Sequence, residues 1–266
     1  MLIDFSASVY FFCNRYLLVR IFVLNYSELA VFIQEGDFVH KTELIVMLTY
    51  NDFTVKNALE IFTECKDTPV KYWGIKEEGI SVEEMKHLFS FMKNAGKKTV
   101  LEVVAYTEAE CMEGAQTAAE CGCDLIIGTL FFDSVNDFCK NHNMKYMPYV
   151  GKVSGRPSIL EGSWDEMVTE ANEYIKKGVF GINLLGYRHI SDQFGLSKKV
   201  VSGVSSKVCL AGGINSFERL TQVRELSPWG FTIGSAFFDK KFGDTFKEQI
   251  ENVYDYINEK EKAGAV

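Results

Sequence analysis

From residue 44 onward one unit repeats along the chain. A short apolar run rich in β-branched residues is followed by a polar turn, then by a longer segment with helical spacing of its apolar residues. The runs are LIVMLT (44–49), VKYWGI (70–75), TVLEVV (99–104), DLIIGTL (124–130), KYMPYV (145–150), FGINLL (180–185), KVCLAG (207–212) and GFTIGS (230–235), spaced roughly 21 to 35 residues apart. Alternation of strand and helix with short connections calls for parallel strands joined by right-handed crossovers. Eight such units predict an α/β fold, a (β/α)8 barrel. The rival, an open doubly wound sheet, usually carries a glycine-rich turn after its first strand, and LTYNDFTVKNA has none.

The segments between the runs carry readable helix signals. Ser81 with Glu84, Thr107 with Glu110 and Ser163 with Glu166 fit the capping-box spacing, and Gly96, Gly122 and Gly178 mark helix ends. With no linker or low-complexity tract, residues 44–266 read as one barrel domain. Residues 1–43 read as an N-terminal extension, expected as an extra helix packed on the barrel or as residues upstream of the natural start. Its apolar stretch is broken by Arg15 and Arg20, short of the about 20 uninterrupted apolar residues a membrane span needs. No membrane association is expected, and the cytoplasm is the expected location. The seven cysteines lack zinc-site spacing and read as reduced, mostly buried thiols.

Two runs end abruptly in small residues, Ala211-Gly212-Gly213 and Gly234-Ser235-Ala236. Glycine lets backbone N–H groups approach a ligand, and a helix start just beyond adds its positive dipole end. In the barrel register these are the ends of strands seven and eight, where barrels often hold a phosphate. Plain tight turns are the alternative. The stretches LAGGI (210–214) and TIGSAFF (232–238) resemble the ribulose-phosphate-binding family of barrels, which includes the histidine-biosynthesis isomerases and the 3-keto-gulonate-phosphate decarboxylases. The resemblance is local, about 35 residues, beside the eight-unit rhythm. It implies that Gly212, Gly213, Ile214, Gly234 and Ser235 form a phosphate site, with backbone N–H donors from the last four and the Ser235 hydroxyl added.

The chemistry of individual relatives does not carry over. The decarboxylases' Asp-x-Lys-x-x-Asp run has no counterpart in TVLEVVAYTE. The isomerases' aspartate at the end of strand one is matched only by Asp52, several residues later and expected to start a helix. The strand-six lysine of similarly built aldolases is missing from FGINLLGYRH.

Candidate reactive residues come from the strands themselves. Glu102 is a carboxylate inside an apolar run, costly to bury unpaired, so it is expected to face the barrel mouth with Lys76 of the neighbouring strand within contact distance. That pair would serve as acid and base; a structural ion pair filling the barrel is the alternative. Lys152, Asn183 and Arg188 are candidate substrate-binding residues, with rim salt bridges as the alternative for the two cations. The long connection 151–163 fits a cover over the mouth as well as a solvated loop. No metal-ligand spacing or cofactor motif is present, so neither a metal nor a cofactor is expected.

The net charge is −8, which disfavours nucleic-acid binding, since that needs a basic footprint. The expected partner is a small phosphorylated metabolite; the oligomeric state is left open, a homodimer included. Two functions remain: an isomerase, epimerase or lyase acting on a small phosphorylated sugar or related metabolite, or a non-catalytic barrel that senses a phosphometabolite. An acid/base pair converging on the rim would favour the enzyme.

Overall fold

In the computed structural model, residues 41–258 are described in full, together with the backbone of strands Ser8–Phe12 and Leu18–Phe22. Eight parallel strands are arranged in sequence order around a barrel: β1 Glu43–Met47, β2 Tyr72–Lys76, β3 Lys98–Ala105, β4 Leu125–Thr129, β5 Lys145–Met147, β6 Gly181–Leu184, β7 Lys207–Leu210 and β8 Gly230–Ile233. β8 pairs with β1 in parallel register, Phe231 opposite Leu44. The β5–β6 seam is joined by Phe180 N–H to Tyr146 O and Asn183 N–H to Pro148 O, both 2.9 Å, and by a parallel bridge between Tyr149 and Asn183.

Burial follows from the pleat. Along each strand, side chains alternate between the barrel axis and the surrounding helices. The inward set includes Ile45, Met47, Val100, Ile127, Met147 and Cys209, closed at one end by Tyr72 and Trp229. The outward set packs against α1 Ala58–Cys65, α2 Val82–Asn94, α3 Glu108–Glu120, α4 Asp133–Asn141, α5 Trp164–Lys176, α6 Gln193–Gly203, α7 Phe217–Leu226, α8 Ser235–Phe238 and α9 Phe246–Asn258.

Helix starts largely follow the capping pattern. Ser81 and Thr107 accept from the N–H groups of Glu84 and Glu110, whose carboxylates reach back, forming complete capping boxes. Ser163 occupies the N-cap of α5 but its side chain makes no cap bond. Gly96, Gly122 and Gly178 take positive φ just past α2, α3 and α5. All six described cysteines are buried free thiols, and burial pushes Cys65 and Cys111 up to about 11.

The N-terminal expectation needs correction. Ser8–Phe12 and Leu18–Phe22 pair as antiparallel strands rather than forming a helix, in keeping with the aromatic and β-branched content of SVYFF and LVRIF. The chain divides into two units, residues 1–41 and 42–266. The expected packing of the extension on the barrel lies outside the described residues. No helix among the described residues is long and apolar enough to cross a membrane.

Candidate functional site

The C-terminal ends of the strands surround a pocket of about 200 Å³. Gly212, Gly213 and Ile214 line it from the end of β7, and Gly234 and Ser235 from the end of β8. The two small-residue run ends therefore converge on one place, because β7 and β8 are neighbours in the barrel. Gly212 and Gly213 both have φ +75°, a conformation L side chains rarely adopt, so the turn requires glycine. Among the described residues, no protein acceptor takes the N–H of Gly213, Ile214, Gly234 or Ser235. The Arg188 side chain lies across Gly212, where an added Cβ would collide with Nε. Arg188 ends a 3-10 turn, Gly186–Arg188, after β6 and donates to Ser158 O at 3.2 Å.

Lys76 and Glu102 also line the pocket and are Cα partners across the β2–β3 register. The expected contact between their side chains is corrected: the ammonium of Lys76, only 2% exposed, pairs with Asp52 at 3.2 Å instead. The reason lies in the β1–α1 connection. Thr49–Tyr50 and Phe53–Thr54 form a miniature hairpin whose two turn residues, Asn51 and Asp52, have φ of 50° and 66°. Two positive φ values are the requirement of a type I′ turn, and Asn and Asp tolerate them. Thr54 stitches this hairpin to β2, its hydroxyl donating to Lys76 O at 2.6 Å and accepting from Lys76 N–H at 3.0 Å. Asp52 is thereby placed over Lys76 instead of starting a helix; α1 begins only at Ala58. The Asn-Asp pair between apolar residues was the sequence signal for this turn.

Burial is the main cause that raises the pKa of half-buried Glu102, with Lys76 and Arg188 opposing it and Asp52 adding to it. The carboxyl is thus biased toward its protonated form, as a proton donor requires. Tyr149 also lines the pocket, and burial together with Glu102 holds its hydroxyl protonated. Just outside the lining, Glu77 accepts from Val104 N–H at 2.9 Å through Oε1, while Oε2 has no partner among the described residues. Burial first, then Glu102, pushes Glu77 up to about 7 against the lowering effect of its hydrogen bonds and Lys76.

Asn183 and Lys152 do not line the pocket. Asn183 has no exposed surface and sits beneath it, with both side-chain amide atoms lacking a protein partner among the described residues. Lys152 is exposed at the start of a short hairpin, Lys152–Ser154 paired with Ile159–Glu161, and strand alternation directs it away from the mouth. This hairpin is the structure adopted by most of the long 151–163 connection. It is tied to the barrel by Tyr106 Oη, 2.9 Å from Gly155 O and 2.8 Å from Ser158 Oγ, and by Arg156, which meets Glu78 and donates to Val104 O at 2.6 Å. Ser158 brings it to the pocket wall.

Sequence reasoning missed Asp52 as a pocket residue, Glu77, and Asp239 at the pocket edge, where it accepts from Tyr50 Oη at 3.3 Å. Glu77 followed Lys76 at a strand end and carried no pattern of its own; only the packing of Val104 and Glu102 around it makes it unusual.

Fold and pocket together define a (β/α)8 barrel with a polar, glycine-rimmed site at its C-terminal mouth. Solved structures with this fold include native KDPGal, 15% identical, with a TM-score of 0.60 over 82% of this chain and 93% of that one. The open form of tryptophan synthase from M. tuberculosis matches at 12% identity and a TM-score of 0.60, over 82% of this chain and 94% of that one. N-acetylmannosamine-6-phosphate 2-epimerase from Clostridium perfringens matches at 14% identity and a TM-score of 0.55, over 78% and 93%. At these identities the likeness is one of fold, and it agrees with the expected (β/α)8 barrel. Neither a protein-family model nor a curated protein matches the chain.

Proposed function

We propose that this barrel is an enzyme acting on a small phosphorylated sugar or related phosphometabolite, as an isomerase, epimerase or lyase. The observation that carries the reading is one pocket containing both a set of unengaged amides on glycine turns and a buried lysine–carboxylate group. Gly213, Ile214, Gly234 and Ser235 would hold the phosphate, with Arg188 supplying a cation. A single amide contact contributes little; convergence of several gives useful affinity. Reactions of this class move a proton beside a carbonyl and develop negative charge on its oxygen. Glu102, biased toward its protonated form, suits the proton transfer, and Lys76, oriented by Asp52, suits the developing charge. The convergence of these groups on the rim favours the enzyme over the phosphometabolite sensor. Two neighbours of the fold support it in kind, one an epimerase of a 6-phosphate sugar and one a synthase.

The test is Ser235→Asp. Gly234 is a poor probe, because a Cβ there would lie 2.8 Å from Thr49 Oγ1 and 3.0 Å from Thr49 O, confounding binding with folding. Ser235 is exposed, so an aspartate there adds negative charge with little strain. Titrated calorimetrically, the parent should bind inorganic phosphate and phosphorylated sugars, and Ser235→Asp should lose at least tenfold in affinity with an unchanged melting temperature. A variant that binds phosphate as tightly as the parent refutes the site.

A further inference from the structure

We propose that Tyr149 is a catalytic residue of this site: its hydroxyl donates a hydrogen bond to one of two oxygens on adjacent carbons of the substrate, and Lys76 serves the other. The substrate class is then a phosphorylated α-hydroxy aldehyde or ketone, and the reaction runs through an enediolate. This inference rests on the phosphosugar reading above.

Access is the first argument. Tyr149 lines the pocket from the end of β5, fixed there by its N–H to Thr129 O at 2.8 Å and by its parallel bridge to Asn183. A buried tyrosine hydroxyl usually finds a partner in the protein. That of Tyr146, on β5 itself, lies 2.7 Å from Thr129 Oγ1 and donates to Leu130 O at 2.8 Å. Among the described residues, neither the Tyr149 hydroxyl nor the Glu102 carboxylate has a hydrogen-bond partner. Yet neither is sealed from solvent, unlike the unpartnered polar atoms of Trp73, Glu77, Asn183, Tyr187 and Gln222. Both groups therefore open on the pocket they line, where a ligand can reach them.

Arrangement is the second argument. Lys76 ends β2, Glu102 lies on β3 and Tyr149 follows β5, while β4 contributes no lining residue. Around the mouth, the ammonium and the hydroxyl thus stand on opposite sides of the carboxylate. Arg188 and the glycine turns after β7 and β8 complete the ring on the phosphate side. Burial first, then Glu102 and Tyr106, raises the pKa of the Tyr149 hydroxyl well above its ordinary value, with Arg188 opposing. A hydroxyl held this way keeps its proton and acts as a fixed donor, not as a base.

These positions fit one sequence of steps. The ionised fraction of Glu102 takes the proton from the hydroxyl-bearing carbon beside the carbonyl. The C–H electron pair becomes the C=C bond, and the carbonyl π pair moves onto its oxygen. The resulting enediolate has an oxygen on each of two adjacent carbons, one facing Lys76 and one facing Tyr149. Once the hydroxyl proton has crossed to the other oxygen, Glu102 returns its proton to the neighbouring carbon. Lys76 and Tyr149 keep their protons throughout. A carboxyl raised by burial suits both halves, being the stronger base when ionised and holding its proton for the return.

The experiment uses two probes that differ in one oxygen. Phosphoglycolohydroxamate carries oxygens on two adjacent atoms, as an enediolate does, and phosphoglycolamide carries only the first. Both are titrated calorimetrically beside inorganic phosphate, in buffer containing a metal chelator. The unmodified protein should bind the hydroxamate at least tenfold tighter than the amide. Tyr149→Phe should bind the two within about twofold of each other, keep inorganic phosphate within about twofold of the parent, and melt no lower. A phenylalanine variant that retains the preference, or that melts below the parent because the hydroxyl supports the fold, overturns the inference. If inorganic phosphate binds but the parent does not prefer the hydroxamate, the inference fails while the phosphate grip stands. If no phosphorylated probe binds at all, the phosphosugar reading itself falls, and the inference with it.

Discussion

Replacing Glu77 by glutamine should change the pH dependence of stability in a calculable way. Burial, reinforced by Glu102, raises this carboxyl from 4.5 to about 7. Below pH 4.5 it is protonated in both folded and unfolded chains and contributes no pH dependence. Between pH 4.5 and 7 the folded protein holds a proton that the unfolded chain has lost, so stability falls as pH rises, by about 1.4 kcal/mol per pH unit. Above pH 7 the loss is complete. The gap between the two values corresponds to roughly 3 kcal/mol, an order-of-magnitude figure that this well-buried group justifies without much discount for solvent. Glutamine keeps an oxygen for Val104 N–H but has no proton to lose. Its amide nitrogen would take the place of Oε2, which has no partner among the described residues, at a fixed cost of about 1–3 kcal/mol. That cost does not vary with pH, so the informative quantity is the difference in unfolding free energy between Glu77→Gln and the parent as a function of pH. Urea unfolding from pH 4.5 to 8 should show this difference rising in the variant's favour by roughly 3 kcal/mol and then levelling near pH 7. The depressed carboxylates Glu84, Glu110 and Asp124 act with the opposite sign but cancel between the two proteins. A difference that stays flat across the range would refute the reasoning and place Glu77 in contact with water.

Asp52→Asn removes the partner of a Lys76 ammonium that is only 2% exposed. Breaking a fully buried pair costs about 3–5 kcal/mol; with Asp52 40% exposed, the loss should be roughly 1–2 kcal/mol by urea unfolding, and no loss would mean that the pair does not form in solution. Gly181→Ala sets a Cβ 2.5 Å from Lys207 O and 2.6 Å from Met147 Cε, where β6 and β7 approach closely. It should lower stability by about 2–3 kcal/mol or more, read from the midpoint of denaturant unfolding, and a neutral outcome would show that the β6–β7 spacing is looser than described.

Several parts of this protein were legible in the chain itself. The eight apolar runs and the capping boxes at Ser81 and Thr107 are local patterns, set by side-chain period and by hydrogen bonds spanning three residues, so they survive without knowledge of the fold. The same locality made LAGGI and TIGSAFF readable as glycine turns at strand ends, and the barrel order then placed them side by side. What the tertiary structure alone decided is which groups meet at the mouth. Lys76 was matched with Glu102 because strand adjacency is visible in sequence, yet side-chain reach is not. A two-residue turn with positive φ swung Asp52 over the ammonium and took the pairing. The inward aim of Asn183 followed from the strand pattern, but the lack of a partner for its amide could be seen only once every neighbouring side chain was in place. The elevated pKa of Glu77 is likewise a property of its surroundings, because desolvation is a sum over all the atoms packed around a charge, and those atoms come from distant parts of the chain.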